Sequence, residues 1–277
     1  MNVEPLGDIS AHRYAYESDD EDQLNPLSRR TPHGNARCSI QGEPPPRDYV
    51  ETIIIASGEA GKAWAQGIQL GEQRAVVVMD DIAVGFVFLV SWSNAVIIVS
   101  ETSETLPTWA MRPYADAILG FYNPKRLLLL DSYPAPTYIS SEPLETHRAP
   151  TRYLCTRGKT VPGLPLMPFL PPNLIQSTSA AFTSVAGLPR SQTEAILLLL
   201  PSQYIPMPRG NNISLSSNTS EGSKSSVWPE TMMRQVHGCI VDHSGIRVPV
   251  PWQISTMSLK QSETRRRGDI GEGGMYI

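Results

Sequence analysis

The chain has 277 residues, 40% of them hydrophobic, with 25 prolines, 18% charged residues and a formal net charge of −4. This is enough apolar sequence for the core of one large domain or two small ones, while the prolines and charges place unstructured sequence at the ends. The acidic balance excludes a general nucleic-acid binder, which would be basic. The three cysteines, Cys38, Cys155 and Cys239, are too widely spaced for a disulfide framework or a zinc site.

Residues 1–48 read as a disordered acidic and proline-rich arm. Glu17-Ser18-Asp19-Asp20-Glu21-Asp22 is a solvated charge run, and Pro26, Pro32 and Pro44-Pro45-Pro46 follow without apolar periodicity. Met1 to Asp20 lacks an apolar signal core and no run reaches membrane-spanning length, so a soluble intracellular protein is expected. Order should begin at about Tyr49. Glu51-Thr52-Ile53-Ile54-Ile55-Ala56 is a continuous β-branched run, the pattern of a strand covered on both faces. It leads through Ser57-Gly58-Glu59-Ala60-Gly61-Lys62 into a helix running through Trp64 to Leu70. This is not a P-loop, because two residues rather than four separate Gly58 from Gly61-Lys62, and Ala63 stands where a hydroxyl is required. A tight βα turn with Ser57 or Gly58 at the helix N-terminus is expected instead.

Strands are predicted at Ala75–Met79, Val84–Trp92 and Ala95–Ser100, with turns at Asp80-Asp81 and Ser93-Asn94 that are too short for anything but antiparallel pairing. Asp80 and Asp81, being adjacent, would point opposite ways on a strand and read as turn residues rather than a catalytic pair. A helix follows from Thr108, a candidate N-cap, to Tyr122, with Pro113 in its first turns and Asn123-Pro124 as its stop. Arg126–Leu130 is a buried strand ending at Asp131-Ser132. Residues just beyond strand C-termini line the ligand crevice of an open α/β sheet. Asp131 is therefore the best single candidate for an acid in an enzymatic reading; otherwise it is a polar residue closing a strand.

Thr151–Thr156 is a further candidate strand. A helix is predicted from Asn173 as N-cap, with Gln176 at the third helical position in a capping-box-like arrangement, to Gly187 and Pro189. It feeds the central-type strand Glu194–Pro201, forming the crossover half of a βαβ unit. The predicted fold class is therefore α/β: a three-layer α/β/α domain over 49–205 with a mixed, partly parallel sheet, flanked by disordered N- and C-terminal segments. Residues 206–226 read as a flexible Ser/Asn-rich insert. The core resumes over 227–257, with a short amphipathic helix within Val227–Val241 and an extended stretch at Ile246–Ile254. Residues 258–277 form a flexible tail, in which Arg265-Arg266-Arg267 and the glycine-rich 268–274 precede Met275-Tyr276-Ile277. An apolar residue, a tyrosine and a terminal carboxylate on a mobile tether make a ligand for a pocket on another protein.

Signatures of catalysis are missing: there is no G-x-S-x-G, H-E-x-x-H or C-x-x-C. His12 and His33 lie in the arm, and His147, His237 and His243 read as surface residues of peripheral segments without ligand spacing. No catalytic residue, metal or cofactor is expected.

The block Leu170-Pro171-Pro172-Asn173-Leu174-Ile175-Gln176-Ser177-Thr178-Ser179-Ala180-Ala181-Phe182, followed by Ala195–Pro201, resembles the corresponding region of the proteasome assembly chaperone 1 family. There a Pro-Asn-apolar helix start leads to an Ala-Ile/Val-Leu strand. The strand Arg126–Asp131 and the acidic Asp19–Asp22 are similar to that family too, and Met275-Tyr276-Ile277 matches its C-terminal hydrophobic-Tyr-any residue pattern. The resemblance covers residues 50–202 loosely and the tail in full; the Ser/Asn-rich insert and the Arg- and Gly-rich end depart from it. It implies a non-catalytic cytoplasmic and nuclear chaperone, without cofactor, membrane or nucleic acid. Such a chaperone would form a heterodimer with a second, related assembly chaperone and sit on the α-ring of immature proteasome core particles. Its tail would enter a pocket between α-subunits, where a lysine meets the Ile277 carboxylate. The reading of a different class is an α/β enzyme of nucleoside-phosphorylase or hydrolase type, since similar architecture hosts both.

Overall fold

The computed structural model describes residues 36–47, 50–90, 92, 95–140, 145–158, 166–206, 209–215, 228–245 and 251–253. The chain divides into two units, Met1–Ala36 and Arg37–Ile277, and every element below belongs to the second. Residues 1–35 of the arm, 216–226 of the insert and the whole 258–277 tail with Met275, Tyr276 and Ile277 lie outside the described residues.

Eleven strands and four α-helices are found among the described residues. The strands are β1 (Cys38–Gly42), β2 (Thr52–Ser57), β3 (Gln73–Met79), β4 (Ile82–Leu89), β5 (Ala95–Ser100), β6 (Glu104–Thr105), β7 (Arg126–Pro134), β8 (Arg152–Cys155), β9 (Met167–Pro168), β10 (Glu194–Ser202) and β11 (Ser214–Leu215). The helices are α1 (Gly58–Ala65), α2 (Thr108–Tyr122), α3 (Thr178–Ala186) and α4 (Glu230–Ser244). Nine strands form one mixed sheet in the order β1-β3-β4-β5-β2-β7-β10-β8-β9, and β6 pairs with β11 apart from it.

The centre of the sheet, β5-β2-β7-β10, is parallel. All six residues of β2 and of β5 are buried, as their unbroken apolar runs require of strands covered on both faces. The short turns after Met79 and Leu89 give the antiparallel β3-β4-β5 meander. Alternation along the strands sorts their side chains into two layers. Ile54, Ala56, Ile97, Val99, Leu128, Leu130, Leu198 and Leu200 join Ala60 and Trp64 of α1 and Met233, Val236, Cys239 and Ile240 of α4 in one core. On the opposite face Ser100 meets Tyr114 of α2, and Tyr114 packs edge-to-face on Phe182 of α3. The expected α/β fold with a mixed sheet between helical layers is the observed one.

Close approach explains two glycines. A Cβ on Gly61 would stand 2.2 Å from the Ala56 carbonyl carbon, so α1 seats against β2 only because that side chain is missing. A Cβ on Gly67 would stand 2.0 Å from the Trp252 ring. Trp252 fills that space, donates from Nε1 to the Trp64 carbonyl at 2.9 Å, and is followed by a Gln253 N–H to Gly67 carbonyl bond of 2.9 Å. Residues 251–253 thereby strap the chain onto the end of α1.

Several local expectations differ: the helix expected to reach Leu70 ends at Ala65, Pro107 rather than Thr108 is the N-cap of α2, and β7 runs past Leu130 to Pro134. Order begins before Tyr49, because β1 pairs antiparallel with β3 inside the stretch assigned to the disordered arm. The helix expected from Asn173 starts at Thr178, since the Asn173 side chain is engaged elsewhere. The Ser/Asn-rich insert is anchored at its start: β11 pairs with β6, and Arg209 reaches the buried Glu101 at 2.5 Å. His237 is a core residue of α4, its ring centroid 6.1 Å from that of Trp64 and 6.4 Å from that of Trp92.

Candidate functional site

β2 and β5 end at Ser57 and Ser100, whereas β7 and β10 stay paired beyond Asp131 and Leu199, to Pro134 and Ser202. Ser57 pairs in register with Ser100, and Leu199 with Asp131; Ala56 pairs with Leu130, which brings Ser57 level with Asp131. Ser100, Ser57, Asp131 and Leu199 thus form a row across β5-β2-β7-β10 on the α2/α3 face. From β2 the chain adds β5 on one side and β7 on the other, so the β2/β7 boundary is the topological switch point at which open α/β sheets bind ligands. Asp131, singled out from the sequence as a residue just beyond its strand, lies beside that point but inside β7, which continues to Pro134.

Asp131 is buried, and both carboxylate oxygens accept hydrogen bonds: Oδ1 from the Ser132 N–H at 2.7 Å and Oδ2 from the Ser177 hydroxyl at 2.6 Å. Loss of water raises its pKa; the bonds from Ser177 and Ser132 and the hydroxyl of Ser179 oppose the rise, and the negative charge of Glu101 adds to it. Ser177 is also the residue before α3, so the carboxylate lies at a helix N-terminus, where negative charge is favoured. At the β5 end of the row, the Tyr114 and Ser100 hydroxyls are 2.9 Å apart, and burial pushes the Tyr114 phenol far above its usual range. Next along the chain Glu101, at φ 53°, accepts from the Leu106 N–H at 2.9 Å and from Arg209, which also donates to the Leu106 carbonyl at 2.7 Å.

A carboxyl with a raised pKa at a switch point has the chemistry of a general acid. Here its oxygens are committed to fixed donors, and Ser57, Ser100, Tyr114, Thr178 and Ser179 around it are all buried. The described side chains of the row are thus closed off from solvent. The Ser57 and Thr178 hydroxyls are buried without a hydrogen-bond partner among the described residues, a cost of roughly 1–3 kcal/mol each. Sequence reasoning found Asp131 but missed Ser57, Ser100, Tyr114 and Ser177; the one available signal was a serine closing each of two apolar strands.

The remaining candidates are dispersed. Burial pushes the Cys38 and Cys155 thiols up to about 11 and Cys239 to about 12, so all three are protonated at neutral pH and poorly nucleophilic. Among the described residues no three His, Cys, Asp or Glu side chains are grouped to hold a metal ion, and no helix is long and apolar enough to cross a membrane. Asn173, expected as an N-cap, instead clamps Ile139: its Oδ1 accepts from the Ile139 N–H at 2.7 Å, and its Nδ2 donates to the Ile139 carbonyl at 2.8 Å.

No protein-family model and no curated protein matches the chain. Among solved structures, PbaB of Pyrococcus furiosus, an archaeal proteasome activator, matches with a TM-score of 0.51 at 12% identity, covering 83% of this chain and 96% of PbaB. The fold resembles that of PbaB. PbaA of the same organism, an archaeal homolog of proteasome-assembly chaperone, matches with a TM-score of 0.46 at 12% identity, over 83% of this chain and 93% of its own. A Corynebacterium glutamicum ATCC 13032 protein of unknown function gives 0.47 at 12% identity, over 82% and 87%. At this identity the likeness to PbaB is one of fold, and nearly all of PbaB takes part in it.

Proposed function

We propose that the protein is a proteasome assembly chaperone that, with a second related chaperone, binds the α-ring of the proteasome core particle and promotes its assembly. The observation that carries this reading is the likeness of fold to PbaB, an archaeal proteasome activator, along 96% of that chain. It is supported by the order of sequence motifs from Arg126–Asp131 to Ala195–Pro201 and by Met275-Tyr276-Ile277. The enclosed Asp131 row fits a scaffold, and the reading assigns the chain no catalysis. In the docked state the Tyr276 ring fills a pocket between α-subunits, giving large apolar area for few frozen torsions, and the Ile277 carboxylate meets a lysine.

The test compares α-ring binding of the full chain, co-expressed with its partner chaperone, for wild type, Tyr276→Ala and a tail lengthened by one residue. Truncating a buried interface tyrosine costs about 2 kcal/mol or more, roughly thirtyfold in affinity, and the extension weakens binding by displacing the carboxylate. Equal affinities for the three would remove the tail from the reading, and absence of wild-type binding would remove the reading itself. One observation favours a second reading, an α/β nucleoside-phosphorylase-like or hydrolase-like enzyme: the raised pKa of Asp131 at the switch point. Thermal stabilisation by phosphate or a nucleoside, lost in Asp131→Asn, would decide for the enzyme.

A further inference from the structure

Glu101 follows the last residue of β5 with φ 53°, a left-handed conformation that residues with a Cβ avoid, and its side chain is only 4% exposed. Three bonds hold it there. Its N–H donates to the Val84 carbonyl at 2.9 Å, and its Oε1 accepts from the Leu106 N–H at 2.9 Å and from Arg209 Nη1 at 2.5 Å. Arg209 Nη1 also donates to the Leu106 carbonyl at 2.7 Å, so one side chain grips both ends of the 101–106 loop. Strain that persists because several contacts enforce it is a feature of switch regions.

Arg209 comes from far along the chain. β10 ends at Ser202, and β7 and β2 lie between β10 and β5 in the sheet. Three strand spacings amount to about 14 Å, which the chain from Ser202 to Arg209 spans with slack. Arg209 thus opens a second set of contacts at the β5 end. Trp109 Nε1 donates to the Asn211 carbonyl at 2.7 Å, and β11 pairs Ser214 with Thr105 and Leu215 with Glu104.

These contacts are polar. Gly210, Asn211 and Asn212 are exposed, so this stretch buries little apolar area and its stability is local. Its buried end is the ion pair, with side chains 24% exposed for Arg209 and 4% for Glu101. Opening the pair leaves a carboxylate uncompensated in the interior, a state that the 101–106 loop relieves only by moving. The Glu101 charge is felt further in, since it helps to raise the pKa of both Asp131 and Tyr114.

We propose that 209–215 is a releasable clasp on the end of the sheet: when the Glu101–Arg209 pair opens, 209–215 and the 101–106 loop are freed together, which ties the Ser/Asn-rich insert to the end of β5 and the start of α2. The device is independent of the tail and of α-ring binding.

The test uses the purified full chain, with trypsin cleavage and hydrogen exchange both read by mass spectrometry. Cleavage after Arg209 requires an open clasp, whereas cleavage after Arg234, within α4, requires that helix to unfold. Glu101→Gln removes the charge but keeps an oxygen for the Leu106 N–H. It should speed cleavage after Arg209 at least tenfold and leave cleavage after Arg234 unchanged. Arg209→Lys keeps the charge and a tryptic site but not the forked reach to Glu101 and the Leu106 carbonyl. It should speed cleavage at that position to a smaller extent. In Arg209→Gln, which trypsin does not cut there, exchange should rise together in 101–107 and 210–215 while β10 and α4 stay protected. Cleavage after Arg209 that is as fast in wild type as in the two cleavable variants overturns the proposal, because the pair then holds nothing. Exchange that rises in 210–215 alone overturns it too, because the core then does not feel the release. Should Glu101→Gln also speed cleavage after Arg234, Arg209→Lys and Arg209→Gln decide by the same criteria.

Discussion

The Ser177 hydroxyl donates to Asp131 Oδ2 at 2.6 Å, fastening the residue before α3 to the C-terminal part of β7. A hydrogen bond to a buried carboxylate is worth more than one between neutral groups, about 1.5–3 kcal/mol. We predict that Ser177→Ala lowers the unfolding free energy by about that amount, read from urea midpoints at constant slope. An unchanged midpoint would show that α3 is held by its apolar face alone.

Asp131→Asn tests the charge itself. The native pKa lies above the unfolded value, so between the two the native state holds the proton that the unfolded chain has released. Stability from this group is therefore greatest below the ordinary carboxylate range near pH 4 and declines as pH rises through the raised native value. Replacing the carboxyl by an amide removes that decline while leaving an oxygen to accept from the Ser132 N–H. We expect a flatter stability profile above about pH 4 and undiminished α-ring binding. A folded Asp131→Asn protein that loses assembly would contradict a purely scaffolding role.

Gly67→Ala tests the strap. The new methyl would sit 2.0 Å from the Trp252 ring, with no flexible end to give way. Overpacking of this kind costs about 1–3 kcal/mol. We expect that loss together with a red-shifted tryptophan emission as Trp252 leaves its buried site. Trp252→Ala should cost more, about 3–5 kcal/mol, because it empties the site. Normal emission in Gly67→Ala would mean that α1 moves instead of the strap.

The cysteines make a separate prediction. With Cys38 and Cys155 raised to about 11 and Cys239 to about 12, few thiolates exist at pH 8. Native-state modification by a thiol reagent should be about a hundredfold slower than in denaturant, with Cys239 slowest. Labelling of Cys239 at the denatured rate in the native protein would show that α4 opens readily.

Where an element's own residues determined its state, the sequence was readable. The isoleucines of β2, the leucines of β7 and β10 and the turns of the β3-β4-β5 meander needed no distant partner to be recognised. So it was with α2, whose apolar stripe ends at Asn123 in the left-handed conformation. Elements whose order comes from far along the chain were opaque. Cys38–Gly42 has a weak pattern of half-exposed residues and is a strand because β3 lies beside it. Asn173 looked like a helix cap, yet its side chain found better partners on Ile139. Arg209 sits in low-complexity sequence and is ordered by Glu101, over a hundred residues earlier. The polar row was legible only at Asp131, because its other members come together through strand register and helix packing.

The position of β2 has a consequence for how the chain comes to be folded. Both of its hydrogen-bonded neighbours are made later: β5 starts at Ala95 and β7 only at Arg126. During synthesis the three isoleucines of β2 leave the ribosome well before either strand that will cover their backbone, at a pace of about 5–20 residues per second. The β3-β4 hairpin can close locally in that interval, but β2 must wait for pairings of large sequence separation, which form slowly. For those seconds an apolar strand with two open edges is presented to solvent, a surface of the kind that holding chaperones cover.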